Sequence, residues 1–371
     1  MKELVRCTHC IMDNSSDDTI TFDADGVCNY CTQAYIQMKT TYFPNDIGKA
    51  KLEQMLKEVK AYGKGKPYDC IMGLSGGLDS SYLAYLGHLW DLRVLAVHVD
   101  DGFDTEISKQ NLKKLVKKTG FDYKTIKPDE KQYNALNKAY FKAGVPNAAV
   151  PQDNVLLAFL HKCAKKYKIK YFFSGGNFAL ECILQRGNTH DAHDLVNIKD
   201  INKKFGTENI DKLETISTLQ RYIDRYIYGM QSLRPLNYID YNRDRAFKEL
   251  EDFCGYQYYG RKHLENSLTE FIQLYWFPHK FGVDKRTSHL SSMIVSGQMT
   301  RKEALKELQK PLYEEELMTE CIKLIKTKIG ISDEEFVEIM SSPPKQHIDY
   351  KTQDDLLHIR LLKKIWHILK R

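Results

Sequence analysis

Tyr68-Asp69-Cys70-Ile71-Met72-Gly73-Leu74-Ser75-Gly76-Gly77-Leu78-Asp79-Ser80-Ser81 runs from a short apolar segment of strand character through a Ser-Gly-Gly turn. It passes straight into a helical pattern, Tyr82-Leu83-Ala84-Tyr85-Leu86. Adjacent glycines let the backbone turn its N–H groups toward one point, because neither carries a Cβ to obstruct. The helix that follows adds its unpaired first-turn N–H groups and the positive end of its dipole. Such a turn, at the C-terminal edge of a strand, is an anion cradle. Ser75, Ser80 and Ser81 add hydroxyl donors, and Asp79 is placed to hold a metal ion against bound phosphates. No lysine follows the glycines, so this is not the G-x-x-x-x-G-K-[ST] loop.

The segment resembles the S-G-G-x-D-S signature of the PP-loop ATP pyrophosphatases, residue for residue from Ser75 to Ser80. The resemblance implies cleavage of ATP to AMP and pyrophosphate, with Ser75, Gly76, Gly77, Asp79, Ser80 and Ser81 at the nucleotide and Mg2+ as the accompanying ion.

With 371 residues, 42% hydrophobic and 28% charged, the chain suits a soluble globular protein of more than one domain. No apolar run approaches the roughly 20 residues of a membrane span, and no apolar signal region precedes the first cysteine, so a cytoplasmic protein is expected. A net charge of +6 suits anionic substrates and is too small to argue for nucleic acid. Nine cysteines point to thiols or metal ligation rather than to a disulfide framework.

Four of them form the pairs Cys7-Thr8-His9-Cys10 and Cys28-Asn29-Tyr30-Cys31, with 17 residues between the pairs. Two C-x-x-C turns joined by a short hairpin (Ile20 to Val27) fit one tetrahedral zinc ion. An iron–sulfur cluster is the rival for the same four ligands, and the ribbon-like pattern favours zinc. Beyond a helix over 46–64, the cradle strand and Val94-Leu95-Ala96-Val97-His98-Val99 make a βαβ unit, hence a parallel sheet. Asp100 and Asp101 at the end of this second strand either contact nucleotide or metal, or cap the turn. A third repeat reaches Tyr123-Lys124-Thr125-Ile126, and a helix then leads to a strand at 170–173. This strand ends in Ser174-Gly175-Gly176-Asn177-Phe178-Ala179-Leu180-Glu181, which resembles the G-x-N-x-x-x-E element of the same enzymes. The resemblance puts Gly176 and Asn177 at ATP and makes Glu181 a magnesium ligand.

Downstream, Arg186 and His190 sit on a polar loop (186–194) read as a substrate contact. Residues 207–250 read as helices, with Leu219, Tyr222, Ile223, Tyr226 and Ile227 on one stripe. Lys280, Lys285 and Arg286, beside aromatic residues from Tyr258 to Phe277, are read as ligand contacts on phosphate; the bland reading is a solvated basic face. An amphipathic basic helix over 354–370 is expected for packing or for a partner.

The four-cysteine knuckle, Leu-Ser-Gly-Gly-Leu-Asp-Ser-Ser, Val-His-Val-Asp-Asp-Gly-Phe and Lys-Phe-Gly-Val-Asp-Lys-Arg-Thr-Ser-His-Leu-Ser-Ser together resemble one family. That family is the N-acetyl sugar amidotransferases of surface-polysaccharide (lipopolysaccharide) synthesis, related to the enzymes named for pseudaminic acid and B-band O-antigen biosynthesis. The implied fold is α/β: a zinc ribbon over 1–40, a PP-loop parallel-sheet domain over 41–205, and a mostly helical substrate and partner region over 206–371. The implied reaction converts an acetamido group of a nucleotide-linked sugar to an acetamidino group. Asp79, Glu181 and Lys285 are the candidate catalytic residues and zinc is structural. The chain shows no glutaminase elbow, and Cys163, Cys182 and Cys254 sit in unsuitable contexts, so a separate glutaminase partner is expected to supply ammonia. A PP-loop tRNA thiolase recruiting Cys182 is the alternative, and a nucleotide-binding zinc-ribbon adaptor is a third.

Overall fold

The computed structural model describes residues 3–260 and 264–356. Arg261, Lys262 and His263, and the part of the expected C-terminal helix beyond Leu356, lie outside the described residues. Five strands form one wholly parallel sheet in the order β3-β2-β1-β4-β5. They are β1 (Cys70–Gly73), β2 (Val94–Val99), β3 (Asp122–Ile126), β4 (Tyr171–Phe173) and β5 (Gln231–Leu233).

Helices α1 (Asn29–Thr41) and α2 (Asp46–Gly63) precede β1, and α3 (Leu78–Leu89) and α4 (Glu106–Thr119) make the crossovers to β2 and β3. The return to β4 uses α5 (Glu130–Ala143) and α6 (Val150–Tyr167). Strand alternation sends Cys70, Met72, Val94 and Ala96 into one core, with Leu83 and Leu112 of α3 and α4. Ile71, Leu95 and Val97 point the other way, onto Leu160 and Ala164 of α6. Helices thus cover both faces, as continuous apolar strands demand.

The chain leaves β1 toward β2 and returns past it to β4, so the order reverses between β1 and β4. The loops after those two strands diverge there and open a crevice, the place where open α/β sheets take ligands.

After β4 come α7 (Phe178–Glu181), α8 (Leu195–Phe205) and α9 (Thr218–Tyr226). Residues 207–250 are not all helical, because Gln231–Leu233 adds β5 at the sheet edge, beyond residue 205. The expected stripe on α9 is not a core face: Leu219, Tyr222, Tyr226 and Ile227 are exposed. Helix α10 (Arg243–Cys254) packs on α3 and α4. The described residues from 267 to 341 are mostly helical: α11 (Ser267–Phe271), a π-turn at Ile272–Trp276, α12 (Phe277–Phe281), α13 (Arg286–Val295), α14 (Arg301–Leu308), α15 (Glu315–Ile329) and α16 (Asp333–Ser341). The cysteine ribbon shares a core with β1, β2 and β4 and with Leu290 and Ala304 of α13 and α14, so it is packed into the molecule rather than hung from it. No described helix is long and apolar enough to cross a membrane.

Candidate functional site

Gly76 holds φ at +82°, and a Cβ there would lie 2.9 Å from Ser108 of α4, so the turn requires glycine on both counts. The Ser75 N–H and hydroxyl face the Ser80 hydroxyl at 3.4 and 3.3 Å, and the Gly77 N–H donates to Ser75 Oγ at 3.1 Å. The Tyr256 hydroxyl donates to the Gly76 carbonyl, and the Leu78 N–H donates to Tyr259 Oη, both at 2.9 Å. The Tyr241 hydroxyl donates to Asp79 Oδ1 in the first turn of α3. Across the crevice, a Cβ on Gly175 would lie 2.9 Å from the Ser80 nitrogen, so the β4 loop presses directly on the start of α3.

The two loops open into one cavity of about 850 Å3. Ser75, Gly77, Asp79, Ser80, Gly176, Glu181, Lys285 and Arg286 line it, so most of the expected residues meet in one space. The others lie elsewhere. Ser81 is fully buried on the core side of α3. Asn177 caps α7 by accepting from the Leu180 N–H and donates to the Gly175 carbonyl, so its amide is engaged in holding the turn. Asp100 pairs with Lys127 at 3.1 Å outside the cavity. Arg186 is exposed over the Tyr30 ring, and His190 bonds Asp194 at 3.0 Å and stacks on His347 at 4.1 Å.

Lys280 is the plainest correction. Its ammonium is buried and donates to the Ile339 and Ser342 carbonyls at the C-terminal end of α16, at 2.5 and 2.8 Å, so it grips a helix end and not a ligand. Arg286 forms the cavity wall, but its guanidinium forks onto Asp284 at 2.7 Å and reaches the Lys310 carbonyl at 2.9 Å. Lys285 faces the cavity with its Nζ 5.1 Å from the centre of the Phe277 ring. Burial lowers its pKa from the ordinary 10.5 to about 8, partly offset by Asp17.

Other residues complete the cavity wall, among them Asp101, expected either at ligand or as a turn cap, and several given no role by the sequence. His98 sets Nδ1 2.7 Å from the Leu74 carbonyl and Nε2 2.8 Å from Asp104 Oδ2, so both ring nitrogens face acceptors. Burial opposes its charge, yet Asp104 and the Leu74 carbonyl raise its pKa above 6.5. Asp101 is buried at the end of β2 and accepts from Gln152, Tyr133, Asn266 and the Phe103 N–H at 2.7–3.1 Å, which ties that strand end to residue 266. Asp153 is exposed to the cavity from the first turn of α6, where desolvation by the surrounding protein raises its pKa to about 6. Glu265 Oε1 accepts from the Ser75 hydroxyl at 3.2 Å, while its buried Oε2 has no hydrogen-bond partner. A buried carboxylate oxygen without a donor, set beside an anion cradle, fits a bound cation there.

The four expected metal-ligating cysteines meet. Their sulfurs all lie within 4.8 Å of one another, with Cys7–Cys31 at 3.9 Å and Cys10–Cys28 at 3.7 Å. A tetrahedral zinc with Zn–S near 2.3 Å separates its sulfurs by roughly 3.8 Å. That spacing fits one tetrahedrally held ion. The Cys10, Met12 and Cys31 N–H groups point at sulfurs at 3.4–3.5 Å, and Arg301 of α14 donates to the Cys7 and Cys10 carbonyls at 2.9 and 3.0 Å.

Comparisons with known proteins follow this division. Residues 49–169, which hold the Ser75–Ser80 loop, match the NAD synthase family. Residues 265–366 match the family described as LPS biosynthesis protein WbpG-like, C-terminal domain. The uncharacterized protein MJ1599 of Methanocaldococcus jannaschii is 22% identical over 318 residues, 85% of this chain and 97% of its own. Among solved structures, NMN synthetase from Francisella tularensis overlaps with a TM-score of 0.30 at 13% identity, covering 58% of this chain and 99% of that one. The NH3-dependent NAD synthetase from Campylobacter jejuni gives 0.29 at 13%, covering 56% and 93%. The chain joins an NAD synthase-like PP-loop region to a WbpG-like C-terminal domain.

Proposed function

We propose that the protein is an ATP-dependent amidotransferase of surface-polysaccharide synthesis that turns the acetamido group of a nucleotide-linked sugar into an acetamidino group. One observation carries the reading. A single cavity of about 850 Å3 is walled by the Ser75–Ser80 loop on one side and by Lys285, His289 and Leu290 of the WbpG-like domain on the other. The space suits two substrates side by side: a nucleotide at the cradle, and a polar partner whose anionic group faces Lys285, with Asn188 and Thr189 beside it.

An amide carbonyl is a weak electrophile, so the amide oxygen first attacks the α-phosphorus of ATP. The bond to the β-phosphate oxygen breaks, pyrophosphate leaves and takes up the amide N–H proton, and a neutral O-adenylyl imidate remains on the sugar. Ammonia then adds to the imidate carbon and AMP departs with the C–O electron pair. The third ammonia proton moves to the sugar nitrogen, leaving an amidinium. Loop donors from Ser75 to Ser80 hold the departing pyrophosphate, and no protein nucleophile is required. Mg2+, when bound, neutralises charge developing on the phosphates; Asp79 and Glu181 are the residues we assign to it. Lys285 is assigned to a phosphate of the sugar nucleotide.

We infer that ammonia arrives from a separate glutaminase, because the sequence offers no G-x-C-x-G elbow. The thiolase alternative loses its carrier, since burial pushes the Cys182 thiol up to about 12 and its Sγ points at the Ser292 carbonyl. The test is to incubate the protein with ATP, a panel of UDP- and CMP-linked N-acetyl sugars, and either ammonium or glutamine. Mass spectrometry should find one sugar with its acetamido oxygen replaced by NH, formed from ammonium, and from glutamine only after a glutaminase is added. Productive use of glutamine by the chain alone, or AMP release only with a sulfur donor and tRNA, would contradict the proposal.

A further inference from the structure

The carboxylate of Glu265, the first residue of the WbpG-like match, lies against the nucleotide cradle. Its Oε1 accepts from the Ser75 hydroxyl at 3.2 Å and sits 2.6 Å from where a Cβ on Gly77 would be. The side chain is not there by chance of a loose loop. The Thr105 N–H and hydroxyl donate to the Glu265 carbonyl at 3.0 and 3.2 Å. The Ser267 N–H donates to the Phe103 carbonyl at 2.7 Å, and the Asn266 amide donates to Asp101 Oδ1 at 3.0 Å. Residues 265–267 are therefore stitched to the segment between β2 and α4.

Glu265 is 9% exposed, and its Oε2 is buried with no hydrogen-bond partner. An ionised carboxylate in that state is under-solvated, and a polyphosphate brought into the cradle would repel it. A divalent cation between carboxylate and phosphate removes both penalties. Among the described residues no group of three or more carboxylates gathers around this point, so a cation at Glu265 would be shared with the phosphates. That is the pattern for Mg2+, which is taken by one or two carboxylates together with substrate phosphates.

We propose that Glu265 ligates the divalent cation that enters with the ATP polyphosphate, so that the WbpG-like domain completes the nucleotide site built by the PP-loop region. The assignment rests on the ATP reading above. It gives the second domain a part in ATP activation besides any contact with the sugar, and it makes nucleotide binding metal-dependent through a residue outside the NAD synthase-like match.

The test is calorimetric binding of ATP to the full chain, with Mg2+ and with EDTA, for wild type, Glu265→Gln and Glu265→Asp. Mn2+ binding in the presence of ATP is followed by electron paramagnetic resonance. Glu265→Gln should weaken binding of the metal–ATP complex by at least about tenfold while metal-free ATP binds as well as before or better. Glu265→Asp should keep part of the preference for metal. An unchanged ratio of metal-bound to metal-free affinity in Glu265→Gln overturns the assignment, whether both forms bind as in wild type or both weaken equally. If wild type binds ATP in neither form, the ATP reading fails and this assignment falls with it. If wild type binds MgATP and only the Gln result is negative, the ATP reading stands without Glu265.

Discussion

Tyr241, on the segment between β5 and α10, donates its hydroxyl to Asp79 Oδ1 in the first turn of α3, although 162 residues separate the two. Tyr241 is 1% exposed and its pKa is raised by burial and by Asp79, so the bond is a neutral hydroxyl meeting a carboxylate. It fixes the orientation of Asp79 toward the cavity. Tyr241→Phe should cost about 1.5–3 kcal/mol of transition-state stabilisation, roughly a 10- to 100-fold fall in kcat/KM for AMP formation. Asp79→Ala should lower turnover by orders of magnitude with the thermal transition little changed, since the role we assign it is on ligand rather than packing. An unfolded Asp79→Ala protein would show that the residue is structural.

Lys285 predicts an alkaline limb. With its pKa lowered to about 8 by burial, the free protein carries the ammonium at pH 7 and loses it above about pH 8. Attraction for an anionic substrate is therefore present below that value and fades as pH rises through it, so kcat/KM should fall on the alkaline side near pH 8. Lys285→Arg, whose guanidinium stays charged, should abolish that limb even if it lowers the plateau. A limb that survives in the Arg variant would assign the titration to another group.

Lys280 should behave in the opposite way. Its Nζ satisfies the carbonyls that end α16. Lys280→Met strands those acceptors and should cost about 1–3 kcal/mol of stability, with kcat/KM for the folded fraction unchanged. Denaturant unfolding alongside steady-state assays separates the two lysines. A Lys280 variant of normal stability and lost activity would restore a ligand role.

The ribbon should carry about one zinc per chain by metal analysis, from the sulfur spacing. Cys28→Ser should release it and cause loss of soluble protein, because the knuckle is part of the main core and not an appendage. Bound iron with visible absorbance, or full folding without metal, would contradict this.

The parallel sheet and its nucleotide loop were legible because β1 and β2 are buried on both faces and read as unbroken apolar runs flanking a turn of specified residues. Gln231-Ser232-Leu233 was not, since a three-residue edge strand with its first two residues exposed needs no apolar run and borrows its geometry from β4. The α9 stripe had the periodicity of a core face, but periodicity cannot say whether another element covers it. Lysines 280 and 285 looked alike in sequence, five residues apart on one basic stretch. What separates them is tertiary: the end of α16 meets one, and the cavity meets the other. Glu265 was invisible for the same reason, because its meaning comes from Ser75, 190 residues away.

The central claim is that the sugar's own amide oxygen attacks ATP. It is tested most directly by supplying the N-acetyl sugar nucleotide with heavy oxygen in the acetamido carbonyl, together with ATP and ammonium, and weighing the nucleotide products. The account predicts AMP and pyrophosphate, with the heavy oxygen in the AMP phosphate and nitrogen in its place on the sugar. ADP with inorganic phosphate, or AMP formed without the label while the sugar is aminated, would contradict it.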